Sequence, residues 1–286
     1  MKSDILDCSI GRRTFLKAAG AGLGTVFGCK LLFKKDLVEK VLAQTNPTLA
    51  IFQLGTCAGC QVSLADFGMD MSTGTSNPTF ADVLSSFEIV YHPLLADKLE
   101  EDFLASTQVD ICVVEGIAGD TVVATELLEH ARNISTLLIT MGDCASYGGV
   151  PGLNAAKNLL NLYPVDQYVM SDGTLLQVDI KIPGCPPQPE HIVYVLTAGA
   201  MGEAILDGQV CDACIYDSGG ARANELGEPG CKRDLGCKGD PTGPDRTTRI
   251  CATSRSTGGV SPCTACDDVC LGCYEEVFPS TPFYEL

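Results

Sequence analysis

The chemistry open to this chain is concentrated in its thiols. Sixteen of its 286 residues are cysteine, against three histidines and no tryptophan, so a metal would find sulfur here and little imidazole. Two of these cysteines form a Cys-x-x-Cys pair in Gly55-Thr56-Cys57-Ala58-Gly59-Cys60. Two more stand in glycine-rich or proline-rich segments, Cys144 in Gly142-Asp143-Cys144-Ala145-Ser146-Tyr147-Gly148-Gly149 and Cys185 in Pro183-Gly184-Cys185-Pro186-Pro187. The pair alone suits a redox dithiol or half of a zinc site. Four thiolates drawn from one Cys-x-x-Cys loop and two neighbouring loops suit the corners of a [4Fe–4S] cube. The glycines beside them let backbone approach the inorganic sulfides and turn N–H groups toward them. An even cysteine count also fits disulfides, but that solution belongs to small exported domains without a core of their own.

The elements that must position these thiols read as alternating strands and helices. Residues 49–54, 88–91, 109–115, 136–140 and 177–182 are short apolar runs with the profile of strands, and residues 120–133 carry apolar positions at helical spacing behind Asp120 as N-cap. Such alternation implies an α/β domain with a largely parallel sheet. In such sheets ligands bind just beyond the C-terminal ends of the strands. Cys57 and Cys60 follow the first strand, Glu115 ends the third, Cys144 follows the fourth and Cys185 the last, so residues scattered in sequence should converge in space. Cys112 falls inside a strand and reads as a buried structural thiol. Glu115 reads either as a carboxylate capping the next turn or as a residue of the site.

From about residue 208 the long apolar runs end and Cys, Gly, Asp and Arg dominate. With so little apolar surface the segment needs metal clusters or disulfides to hold it. Its cysteines run Cys211-x2-Cys214, Cys231-x5-Cys237, Cys251, Cys263-x2-Cys266 and Cys270-x2-Cys273. Arg222, Lys232, Arg233, Lys238, Arg246, Arg249 and Arg255 make it locally basic within a chain of formal charge −17. These residues read as a solvated face mixed with acids, or as a guide for an acidic electron acceptor. The overall acidity speaks against nucleic acid as a partner.

The N-terminus reads as an address. Gly11-Arg12-Arg13-Thr14-Phe15-Leu16-Lys17 precedes a short, Ala- and Gly-rich apolar stretch, which resembles a twin-arginine export signal and is too short and Gly-rich for a comfortable membrane span. Val26-Phe27-Gly28-Cys29 also has some likeness to a lipoprotein cleavage box, so Cys29 is a candidate lipid anchor. The expected organisation is a signal and linker over 1–46, an α/β domain over 47–207 and a small irregular cysteine-rich domain over 208–286.

At the four segments around Cys57 and Cys60, Val114-Glu115-Gly116, Cys144 and Cys185, taken in order, the sequence resembles the small subunit of nickel–iron hydrogenases. The resemblance implies a flavodoxin-like sheet domain followed by an iron–sulfur domain. It implies a proximal [4Fe–4S] cluster on Cys57, Cys60, Cys144 and Cys185, with Glu115 near the subunit interface as a candidate proton-path residue. Cys211, Cys214, Cys231 and Cys237 match the distal cluster, [4Fe–4S], with Cys211 where many members have His; all-thiolate ligation should lower its potential. Cys251, Cys263 and Cys266 match the medial cluster, commonly [3Fe–4S]. Cys270, or alternatively Cys273, offers a fourth ligand and favours [4Fe–4S]; a Cys270–Cys273 disulfide or a small zinc site is the competing reading.

By the same resemblance the chain is an electron-transfer subunit, exported to the periplasm or the outer face of the cytoplasmic membrane and favouring hydrogen uptake. Its partners would be a nickel–iron large subunit and an outside acceptor, a cytochrome or a membrane quinone-reducing protein. A related fold-mate, the cluster-bearing subunit of respiratory quinone reductases, has adjacent cysteines where this chain has Cys57-x-x-Cys60. Oxygen-tolerant members carry extra cysteines beside the proximal ligands, whereas Thr56 and Gln61 stand there in this chain, which implies an oxygen-sensitive site.

Overall fold

The computed structural model describes residues 41, 46–68, 79–94, 98–152, 161–197, 214–216, 221–238, 267–273 and 278. Its centre is a five-stranded parallel sheet. The strands are β1 (Thr48–Gln53), β2 (Glu88–Tyr91), β3 (Val109–Glu115), β5 (Ser135–Met141) and β7 (Ile180–Ile182), in the spatial order β2-β1-β3-β5-β7. Counted within the sheet alone that order is 2-1-3-4-5, the flavodoxin-like winding. A short antiparallel pair, β4 (Ala118–Gly119) with β6 (Leu162–Tyr163), lies outside it.

Successive residues of a strand point to opposite faces, and here both faces are covered. Leu49, Ile51, Ile111, Val113, Leu137, Ile139 and Met141 pack on one side with Leu64 of α1 (Gly59–Ala65), Val83 of α2 (Phe80–Leu84) and the apolar run of α6 (Pro189–Leu196). Ala50, Phe52, Cys112, Val114 and Leu138 pack on the other, against Phe103 of α3 (Glu100–Leu104) and against α4 (Val122–Ile134). All seven residues of β3 are buried, which is why the stretch between Asp110 and Glu115 is apolar on both faces rather than alternating. Helix α4 buries Ala124, Leu127, Leu128 and Ala131, the spacing of one helical face.

Two expectations need correction. The N-cap of α4 is Thr121, whose hydroxyl accepts from the Ala124 N–H at 3.2 Å, and not Asp120. Asp120 instead accepts from Tyr163 Oη at 2.8 Å and from the Asn161 amide, pinning the β4–β6 pair. The last strand begins at Ile180 rather than at residue 177. The Asp179 carboxylate takes the Leu138 N–H at 2.9 Å and an Arg132 N–H at 2.7 Å, so a side chain stands where a backbone carbonyl would have extended the ladder.

The register is what matters for the site. Gln53 pairs with Glu115, Glu115 with Met141, and Met141 with Ile182, so four strands end level along one edge of the sheet. Phe103 is fully buried and closes the opposite layer, with ring centroids 5.4 Å from Phe52, 5.5 Å from Tyr91 and 5.2 Å from His130. Phe103→Ala should destabilise the domain by about 3–5 kcal/mol, whereas Val123→Ala, at an exposed position of α4, should change stability by about 0.5 kcal/mol or less. Urea unfolding followed by far-UV circular dichroism distinguishes the two.

Candidate cluster site

The level strand ends deliver the thiols. Beyond β1 the chain runs through Gly55 and Thr56 to Cys57, turns at Ala58 (φ 62°) and enters α1 with Cys60 in its first turn. Beyond β5 it turns at Gly142 (φ 87°) into α5 (Asp143–Tyr147), which carries Cys144. Beyond β7 it reaches Cys185 at a cis Cys185–Pro186 bond. Backbone hydrogen bonds zip the last two loops together, from Gly142 N to Ile182 O at 2.8 Å and from Asp143 N to Gly184 O at 2.9 Å. The buried Asp143 carboxylate adds a bond from Gly184 N at 2.8 Å. The β1 and β3 loops are joined in the same way, Ile117 N donating to Gly55 O at 2.9 Å and Leu54 N to Glu115 O at 2.8 Å.

The four thiols share one electrostatic environment. Burial, then Glu115, Cys144 and Cys185, push the Cys60 thiol far above the ordinary thiol range. Burial, then Cys185, Cys57, Asp143 and Glu115, push Cys144 up to about 12. Burial, then Asp143 and Cys57, push Cys185 up to about 11. Thiolates gathered this closely need positive charge among them. Cys57 and Cys185 are exposed, while Cys60 and Cys144 lie deeper.

The donor set fits an iron–sulfur cluster. None of the ten described cysteines is in a disulfide. Among the described residues no three Cys, His, Asp or Glu side chains close on a point that could hold one metal ion. Four thiols brought from three loops suit an inorganic core that takes one ligand at each corner. Glycine provides the clearance. A Cβ at Gly142 would overlap the Cys60 sulfur, and one at Gly59 would come within 3.2 Å of the Cys57 sulfur.

Glu115 is fully buried and lies in the site. One carboxylate oxygen accepts from Thr56 Oγ1 at 3.1 Å and Cys60 N at 3.0 Å, the other from Gln53 Nε2 at 3.2 Å and Gln61 Nε2 at 2.7 Å. It is thus tied across the strand ends to the Cys57–Cys60 loop, and does not cap its own turn. Gln53, Thr56 and Gln61 hold it there, a role the sequence alone did not reveal. A polar Gln61 on the buried face of α1 was the available signal. His92, also buried, has its pKa lowered by burial, with the Glu115 carboxylate opposing that shift. Cys112 is a buried core thiol, pushed up to about 12 by burial.

In the C-terminal segment Cys214, Cys231, Cys237, Cys270 and Cys273 are described, none of them in a disulfide. Cys211, Cys251, Cys263 and Cys266 lie outside the described residues, as do the twin-arginine segment and Cys29. Cys237 and Cys273 each pack against the buried Cys270, and the Cys237 sulfur accepts from Cys270 N at 3.3 Å. The two expected ligand sets therefore adjoin at this point, and the alternative Cys270–Cys273 disulfide is not formed. Lys232 is 4 % exposed, so it belongs to no solvated face.

Relatives of known type share this arrangement of chain. Residues 57–199 match the family described as NADH ubiquinone oxidoreductase, 20 Kd subunit. The periplasmic [NiFeSe] hydrogenase small subunit of Desulfomicrobium baculatum is 26 % identical, across 96 % of this chain and 99 % of its own length. The hydrogenase-2 small chain of Escherichia coli K12 is 26 % identical, across 93 % and 77 % respectively. The recombinant [NiFeSe] hydrogenase from Desulfovibrio vulgaris Hildenborough shares the fold, with a TM-score of 0.64 at 24 % identity over 85 % of this chain and 99 % of that one. The chain belongs to the 20 Kd-subunit family and, within it, is a small subunit of the nickel–iron hydrogenase type. Iron–sulfur clusters are its implied cofactors.

Gly142→Ala should lower iron and labile sulfide in the purified protein while far-UV circular dichroism stays unchanged. Gly173→Ala is the control, because Gly173 has a similar φ of 84° but no atom within 4 Å of an added Cβ; it should leave iron unchanged. Equal iron in both variants would contradict the packing of Gly142 against Cys60.

Proposed function

We propose that this chain relays electrons between a nickel–iron large subunit, where hydrogen is split, and an acceptor outside the cytoplasm. The observation that carries the reading is the convergence of Cys57, Cys60, Cys144 and Cys185 at the level ends of β1, β5 and β7, beside the buried Glu115. An iron–sulfur cluster held there would supply one-electron storage. Cys57 and Cys185 are exposed at the rim, which suits docking of the large subunit over them. Glu115 and its four donors would fix the Cys57–Cys60 loop beneath that interface.

Further clusters extend the relay. In this reading Cys211, Cys214, Cys231 and Cys237 hold the distal [4Fe–4S] cluster. Cys251, Cys263 and Cys266, with Cys270 or Cys273 as the fourth ligand, hold a medial cluster, [4Fe–4S] in preference to [3Fe–4S]. The adjacency of Cys237 to Cys270 supports two clusters standing close enough for transfer. Arg12-Arg13 and the periplasmic Desulfomicrobium relative support twin-arginine export, and an external site favours hydrogen uptake. Among the described residues no helix is long and apolar enough to cross a membrane. In this reading the N-terminal segment, a lipid on Cys29 or another protein would supply membrane attachment.

A second reading, the cluster subunit of a quinone-reductase-like complex, is favoured by the description of the matched family. The Cys57-x-x-Cys60 spacing and the hydrogenase relatives along most of the chain favour the first.

Anaerobic affinity purification of the tagged chain from its native host tests the proposal. The expected eluate contains a larger nickel-bearing partner, iron, and hydrogen-dependent viologen reduction. An intact complex with iron but neither nickel nor hydrogen activity would move the assignment to the second reading. Cell fractionation tests export: replacing Arg12 and Arg13 by Lys should trap the complex in the cytoplasm. An unchanged distribution would remove the export claim.

A further inference from the structure

The described part of the C-terminal segment places a cation directly on a ligand sulfur. An isolated bridge pairs Arg222 with Cys231, and backbone bonds close it, from Cys231 N to Ala221 O at 2.7 Å and from Ala223 N to Cys231 O at 3.1 Å. This fixes the Arg222 guanidinium, whose Nη1 donates to the Cys231 sulfur at 2.9 Å. Asp234 Oδ2 lies 3.7 Å from Arg222 Nε and steadies the far side of the guanidinium. The Cys231 residue is itself buried at 8 % exposure, and the Arg222 side chain reaches its sulfur from the surface with 36 % of its own area exposed.

A second cation is built in beside it. Lys232 has its Nζ 2.7 Å from Glu228 O, 3.2 Å from Gly230 O, 3.9 Å from Asp267 Oδ1 and 5.0 Å from the centre of the Tyr216 ring. Tyr216 Oη bonds in turn to the Asp267 carboxylate. A lysine this buried needs such partners, and they hold its charge next to the peptide of Cys231. At the other end of the relay the fixed charge has the opposite sign, since Glu115 is buried against the Cys60 amide.

A hydrogen bond from a cation to a ligand sulfur withdraws charge from the cluster and favours its reduced form. We propose that Arg222, supported by Lys232, raises the reduction potential of the cluster bound by Cys231, counteracting the lowering expected from all-thiolate ligation. Glu115 works in the opposite sense on the cluster bound by Cys60. The two fixed charges bias electron flow from the Cys60 end toward the Cys231 end. This inference rests on the electron-relay reading above, and Arg222 acts as a tuning residue that touches no substrate.

The test is an EPR-monitored redox titration of the purified complex with its large subunit, for wild type, Arg222→Gln, Arg222→Lys and Asp234→Asn, with iron content measured in each. At a fixed ambient potential, Arg222→Gln should lower the reduced-to-oxidised ratio of one cluster about tenfold, equivalent to about 59 mV for a one-electron couple. The signals of the other clusters should stay in place. Arg222→Lys should fall between that variant and wild type. Asp234→Asn, which removes the counter-charge, should shift the same cluster upward. Unchanged potentials at full iron content would overturn the inference. If Arg222→Gln loses the cluster, the Arg222→Lys and Asp234→Asn shifts decide, and no shift in either overturns it. A wild-type complex without iron would instead overturn the relay reading itself.

Discussion

The site depends on the register of four parallel strands. Gln53, Glu115, Met141 and Ile182 are paired across the sheet, and the chain leaves the sheet just past each of them. Three of those exits carry cysteine, and the fourth carries a buried carboxylate. A shift of one residue in any of these strands would exchange its two faces, pressing each side chain against the wrong layer and moving that strand's end out of line with the others. The register is therefore held by the whole two-sided core, from Leu49, Ile51 and Val113 on one face to Phe52, Val114 and Leu138 on the other. The winding order adds the opening. The sheet runs outward from β1 toward β2 on one side and β3 on the other, and such a switch point is where a sheet of this class leaves a crevice.

On that frame the polar groups at the strand ends divide the work. Glu115 gathers four donors from β1, from the loop behind it and from α1, so the Cys57–Cys60 loop cannot shift without leaving a buried carboxylate partly unpaired, which costs about 1–3 kcal/mol per lost partner. Asp143 and the Gly142–Ile182 bond do the same for the loops of Cys144 and Cys185. The cysteines are thus held by their neighbours' hydrogen bonds before any metal is considered. Among the described residues of the C-terminal segment the corresponding anchors are polar: the Arg222–Cys231 pair and the Cys270–Cys237 bond at the thiols, and the Lys232 clamp beside them.

Much of this was legible in the sequence, for identifiable reasons. The strands β1, β3 and β5 announce themselves as short apolar runs because they are buried on both faces, and the placement of Cys57 and Cys144 after β1 and β5, and of Cys185 after the last strand, follows from the α/β pattern. The start of β7 was not legible, because the Asp179 side chain competes with the backbone for Leu138, a contact made across 41 residues. The choice of Thr121 over Asp120 as a helix cap turned on Tyr163 and Asn161 claiming the aspartate. Glu115 could be placed at a strand end, but its partners Gln53, Thr56 and Gln61 meet it only once β1 and β3 are paired. Arg222 read as one charge among several, since nothing local in sequence points a guanidinium at a sulfur nine residues away.

The central claim, that electrons from hydrogen reach the thiol-bound clusters of this chain, is tested most directly by EPR spectra of the purified complex under hydrogen and under argon. The account predicts that reduced iron–sulfur signals appear under hydrogen, disappear on reoxidation, and are lost in part when Cys185 is replaced by Ser. Clusters that dithionite reduces but hydrogen leaves oxidised, in a complex of intact composition, would contradict it.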